Sequence, residues 1–273
     1  MALVPDASRY AVLLERPEDL QPARLAAALA RHRGIPLQDA ARQARHAWGI
    51  VGEDLEEPEA RRLAEALGEA GLGGIVLPHH RLAALPPPAL MARAEWDDDG
   101  LRLITAAGEE EPIPWPRLRL LAVGGLTETT TSRVQPPEGP GLGRKAVGLG
   151  LMMATGLPMI TGRGRRPPEP VQRSEELVVY LDLCPREPPR RFRINALEFD
   201  YSGLGDRMLP HALGNFRTLT AVLAQRAPGA SRNRGAEVLL TGQSLKVTGY
   251  DSLADFDRES RWLLTLDDLR HLY

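Results

Sequence analysis

Within the first eighty residues, apolar runs of strand length alternate with stretches of helical spacing, and proline or glycine closes each one. Tyr10-Ala-Val-Leu-Leu-Glu15 reads as an opening strand. Pro22 sits where a first helical turn tolerates proline, and Leu25, Ala26 and Leu29 then recur at helical spacing. Gly34 ends that helix and Pro36 restarts the chain, after which Leu37, Ala40, Ala41 and Ala44 form a second, narrow apolar stripe. The small residues on it let two helices approach closely. Trp48 follows, and Gly49-Ile-Val51 reads as a short extended piece. Pro58 stands near the start of a third helix, with Leu63, Ala66 and Leu67 inward, Gly71 past its end and Ile75-Val-Leu77 as a closing strand. The cadence predicts a compact docking module over residues 9–80.

The residues that recur in this pattern are an opening strand, Gly34, Leu37 and Ala40 at a hinge, and Ala70-Gly71 at the end of the last helix. In these features the region resembles the C-terminal domain of the bacterial ribosomal stalk protein of the large subunit. The resemblance implies a βαα-type fold over residues 9–78. In that family the first long helix binds translation factors through basic and aliphatic side chains. Here the corresponding face carries Pro22, Ala23, Ala26, Ala27 and Ala30, so the charge-assisted contacts are missing and only the fold is implied.

Beyond residue 80 a proline-stiffened run, 81–89, reads as a linker. The period then switches to two. Ala94-Glu-Trp96, Leu101-Arg-Leu-Ile-Thr105 and Arg119-Leu-Leu-Ala-Val123 read as strands, separated by turns at Asp97–Gly100 and Gly108–Glu111. Strands resume at Leu177–Leu183 and Arg191–Asn195, with Asp200–Gly203 expected to close the sheet. Ala212–Ala227 reads as an amphipathic helix with Leu213, Phe216, Leu219, Val222 and Leu223 along one face. Antiparallel strands followed by one long helix look like a pleckstrin-homology-like barrel with its capping helix, over residues 90–228. Trp96, Trp115, Phe192 and Phe199 are expected in its core. Residues 229–273 add a short strand and a capped helix, whose Tyr250, Phe256, Trp262 and Leu263 are expected to dock back on the barrel. The fold class is α+β.

An insertion, 127–173, interrupts the barrel. It is glycine-rich, carries Met152, Met153 and Ile160, and ends on Arg163, Arg165 and Arg166. These six residues are the candidate partner-binding set. They suit either a loop packed on the barrel or an adaptable surface, and residues 146–166 could meet a membrane face.

Chemistry finds no purchase in the motifs. Gly143 is followed by Arg144-Lys145-Ala146, without the hydroxyl that a phosphate loop uses to hold magnesium. His79 and His80, on a strand, would point to opposite faces, and His32, His46, His211 and His271 lack ligand spacing. Asp251, Asp255, Asp257 and Glu259 cluster, but Ser252-Leu-Ala-Asp255 is explained as a capping box. Cys184 and His211 could pair as nucleophile and base, yet nothing in the sequence orients them. Catalytic, cofactor and metal sites are therefore expected to be none.

Net charge is −2 with a pI near 6.3, which gives no global drive toward nucleic acid or anionic lipid. The lone cysteine excludes an internal disulfide. All but two of the 34 basic residues are arginine (Lys145 and Lys246 excepted), a composition typical of a GC-rich bacterial genome, so arginine abundance carries little functional weight. No apolar run is of membrane-spanning length, and the first residues lack the pattern of a secretory signal, so a cytoplasmic location is expected. The sequence thus points to a non-catalytic bacterial adaptor that contacts another protein. Peripheral membrane association and an unrecognised enzyme are the alternatives.

Overall fold

The computed structural model describes residues 9–133 and 171–271. The N-terminal cadence appears as β1 (Tyr10–Leu14), α1 (Pro22–Arg33), α2 (Leu37–Arg45), β2 (Ile50–Leu55), α3 (Glu57–Glu69) and β3 (Gly74–Pro78). Gly34 at φ 62° lets α1 stop and the chain reverse into α2, a backbone conformation that an L side chain resists. Strand β1 is central, in the order β2-β1-β3, and runs antiparallel to both neighbours. Ala11 to Leu14 are all fully buried, so this sheet is covered on both faces. Leu37, expected inward, is 60% exposed; as the first residue of α2 it precedes the Ala40–Ala44 stripe that packs.

The chain then contributes β4 (Ala89–Met91), β5 (Arg93–Trp96), β6 (Gly100–Ile104) and β7 (Glu110–Pro114). Next come β8 (Leu118–Arg133), β9 (Val171–Pro185), β10 (Phe192–Asn195), α4 (Ala212–Arg226), β11 (Ser231–Arg232), α5 (Arg234–Leu240) and α6 (Leu253–Arg270). The fold is mixed α+β. Strands β5, β6 and β7 form an antiparallel meander; β5 and β6 flank the Asp97–Gly100 turn as expected, whereas Glu110 and Glu111, read as part of a turn, begin β7. A second sheet has the order β11-β8-β9-β10-β4. Its outer strands β4 and β11 pair in parallel and span three and two residues, too short to carry pairing round to the meander. Among the described residues the strands therefore lie in separate sheets, and the expected barrel does not close.

Other expectations need correction. Residues 200–203 do not close the sheet: Asp200 makes a single bridge to Arg93, and the chain then turns into a 3-10 segment at Ser202–Arg207. The Tyr201 hydroxyl anchors that turn by donating to the Ala196 carbonyl at 2.8 Å. On α4, Phe216, Leu219, Val222 and Leu223 are buried, but Leu213 in the first turn is half exposed. Trp115, Phe192 and Phe199 are buried as expected, while Trp96 is only partly covered and lies under the Arg207 guanidinium. Both ends of the expected insertion, 127–133 and 171–173, are strand.

The C-terminal helix decides the architecture. Alternate residues of β8 enter different cores: Leu121 and Val123 join α4 and the meander, whereas Leu120 and Ala122 join β1, α1, α3 and α6. Helix α6 thus lies between the N-terminal sheet and the five-stranded sheet, instead of docking on one barrel. Its Trp262 donates from Nε1 to the Leu14 carbonyl at 2.8 Å, and Thr265 accepts from the Ala83 N–H at 3.0 Å. Of residues 81–89, read as a linker, Ala83 is bonded to this helix through Thr265 and Arg261, and Ala89 begins β4.

Candidate binding groove

Strand β3 is an edge, and its ladder with β1 can be read residue by residue. The Glu15 N–H donates to Gly73 O at 3.0 Å, and the His79 N–H donates to Arg9 O at 2.7 Å. Antiparallel alternation between these two bonds turns the backbone of Ile75 and Leu77 toward β1. The N–H and C=O groups of Gly74 and Val76 then point off the sheet. Side chains alternate as well. Gly74 faces α3, where an added Cβ would sit 3.2 Å from the Ala64 backbone, so Ile75 and Leu77 face α6.

The opposite edge is partly covered. Arg258 on α6 donates to Ala47 O at 2.9 Å and to Ile50 O at 2.8 Å, and Arg9 reaches Asp54 O at 3.3 Å. Beside β3, by contrast, a groove of about 740 Å³ runs between the strand and the last turns of α6. Ile75, Leu77, Leu266 and Leu269 form its apolar wall. Charge is placed at its ends. Glu15 and Arg16 lie near the start of β3, and Arg16 is held by Asp19 at 3.3 Å. His80, Arg81 and Arg270 lie beyond its end; among the described residues Arg81 and Arg270 have no ion-pair partner. The histidine pair is not on a strand but in a 3-10 turn, His79–Arg81, so His79 lies 3.1 Å from Asp54 while His80 lines the groove.

The buried ionisable groups are engaged within the protein. Asp182 on β9 has no solvent exposure and accepts from Arg191 Nε at 2.6 Å and from Arg193 Nε and Nη2 at 2.7 and 2.9 Å. Asp257 on α6 closes the group by accepting from Arg191. Arg193 also packs over the rings of Tyr180 and Phe256, 5.0 and 5.7 Å from their centroids. A second group joins Asn233, Tyr250 and Glu259. Asn233 caps α5 by accepting from Ala236 N–H, and holds the edge of β8 through Val123 on both its N–H and its C=O.

Burial pushes the Glu259 carboxyl above the ordinary carboxylate range, only partly offset by hydrogen bonds from Tyr250, Arg234 N–H and Asn233. The folded protein thus holds a proton that the unfolded chain has lost. Stability contributed at low pH is lost as pH rises through the folded value. In urea titrations the stability of the native protein relative to a Glu259→Gln variant is expected to fall as pH rises above 4.5, the ordinary value. A pH-independent difference would refute the assignment.

His46, from the end of α2, meets the first turn of α6, its Nδ1 3.0 Å from Asp255 and its Nε2 3.9 Å from Asp251. Sequence spacing could not show this, because more than two hundred residues separate the partners. Asp251 also faces Arg45 at 3.3 Å, and Asp255 accepts the Asp251 N–H at 3.0 Å. The trio is a tie between helix ends, and Ser252 caps α6 through the Asp255 N–H as its motif predicts.

Cys184 is buried in the core between the two sheets, and burial pushes its thiol up to about 12. His211 is exposed at the start of α4. The pair is not a nucleophile and base. Cys184 is expected to resist a thiol reagent in the native protein and to react at once in denaturant; rapid native labelling would contradict this burial.

The candidate residues Met152, Met153, Ile160, Arg163, Arg165 and Arg166 lie outside the described residues, as does the stretch 146–166 considered for a membrane face. No described helix is long and apolar enough to cross a membrane. The groove residues escaped the sequence reading because Ile75 and Leu266 are distant in the chain. The one local sign was the unbroken Gly-Ile-Val-Leu run ending in Pro78, a residue confined to edges and strand ends. Compared with models of protein families, with curated proteins and with solved structures, the chain matches none of them.

Proposed function

We propose that this protein is a non-catalytic adaptor that binds another protein. The observation that carries the reading is the β3 edge, open among the described residues, with an apolar groove beside it, set against an opposite edge on which Arg258 and Arg9 engage backbone carbonyls. Internal ion pairs engage the buried Asp182, Arg191 and Arg193, and Tyr250 and Asn233 engage Glu259, which leaves recognition to the outer faces. The β-α-α-β-α-β order of residues 10–78 supports a likeness to the ribosomal stalk domain. The strands of the meander and the later α4 speak for a pleckstrin-homology likeness; the separate sheets speak against a closed barrel.

Tagged full-length chain, produced at native level in its own host, is expected to co-purify with one protein at a fixed molar ratio through a moderate-salt wash. A chain that elutes alone from that lysate would overturn the reading.

A further inference from the structure

We infer that the β3 edge takes an extended peptide as a fourth strand, one carrying two apolar side chains at i and i+2 and carboxylates toward the Arg81–Arg270 end. This inference rests on the adaptor reading and names its partner class.

Three observations converge. The backbone groups of Gly74 and Val76 point off the edge, so an added strand can exchange hydrogen bonds with both residues. Ile75, Leu77, Leu266 and Leu269 wall a concavity beside that edge. A strand lying there presents alternate side chains to the same wall, which fixes the i, i+2 spacing. Charge supplies the third element. The groove holds Glu15, Arg16, His80, Arg81 and Arg270; Arg16 is neutralised by Asp19, while Arg81 and Arg270 sit exposed at one end and, among the described residues, unpaired. Unpaired guanidiniums beside a strand end match carboxylates, which they bind in bidentate fashion. Exposed edges are normally blunted by prolines, charges or covering elements. Here the central Ile75-Val76-Leu77 carries none, and only Pro78 marks the end. Self-pairing of β3 with a second copy is less favoured, because antiparallel pairing would bring the cation Arg16 along with Glu15 and Asp19 to each Arg81–Arg270 pair.

The test selects a displayed random-peptide library against the full chain and measures the enriched peptides by fluorescence anisotropy. Enriched sequences are expected to show apolar-x-apolar followed or preceded by Asp or Glu, and binding should weaken with salt. Val76→Pro, which removes an outward N–H at a position where an edge tolerates proline, is expected to weaken binding at least tenfold. The exposed double variant Arg81→Glu/Arg270→Glu is expected to do the same, and serves as the check if the proline variant folds poorly. In hydrogen exchange, the Gly74 and Val76 amides should exchange faster than those of Ile75 and Leu77 in the free protein and slow on peptide addition.

No enrichment, or binding indifferent to both variants, overturns the inference. So does prior protection of the Gly74 and Val76 amides, which would mean that the chain itself or a second copy already fills the edge; sedimentation separates those two. A co-purified partner that cross-links away from β3 sinks this inference while the adaptor reading stands, whereas absence of any partner sinks the adaptor reading.

Discussion

Replacing Asp182 by alanine is expected to lower the unfolding free energy by about 3–5 kcal/mol, because it strands two guanidiniums between the five-stranded sheet and α6. Asp182 accepts three hydrogen bonds from Arg191 and Arg193, whose side chains are only 3% and 8% exposed. With the carboxylate gone, Asp257 is the remaining anion, and it is 40% exposed and 3.5 Å from Arg193. It compensates only in part. Asp257→Ala removes the better solvated partner and is expected to cost about 1 kcal/mol or less. Urea denaturation of the two variants at neutral pH gives the comparison. Equal losses would mean that Asp182 and Asp257 anchor the arginines alike. An apolar trio of similar volume is expected to match its stability.

The second large effect lies where α6 crosses the N-terminal sheet. Gly49 has φ 87°, and a Cβ there would lie 1.8 Å from Trp262 Cδ2. Gly49→Ala combines left-handed strain of about 1–2 kcal/mol with overpacking of about 1–3 kcal/mol. Trp262→Ala removes a buried indole together with its bond to Leu14 O, and is expected to cost about 3–5 kcal/mol. The double variant is expected to cost less than the sum, since the indole that the new methyl strikes is gone and only the backbone strain remains. Thermal melts of the three variants test this, and strict additivity would refute the contact. Trp262→Ala should also weaken peptide binding, because Leu266 and Leu269, one to two turns on, form part of the groove wall.

Local punctuation made much of the fold legible. Pro22, Gly34, Pro58 and Gly71 bound helices whose ends follow from missing N–H groups and left-handed backbone, and the Asp97–Gly100 turn set the meander register. Ser252 signalled the start of α6. The site was far less legible. In Arg191-Phe-Arg-Ile-Asn195 the alternation is plain, yet it assigns the arginines to a polar face without saying what covers that face. The cover is α6, more than sixty residues later in the chain.

The amino-acid order by itself therefore settled most helix starts and stops, because capping, proline geometry and glycine freedom act within a few residues, while β7 and the strand ends at 127–133 and 171–173 were not legible in it. Tertiary packing alone decided that the last helix lies between two sheets, that Asp182 meets its arginines away from water, and that β3 keeps an open edge beside a groove. Hydrophobic burial has no direction along the chain, so a period reveals which side chains seek cover but not which distant element supplies it.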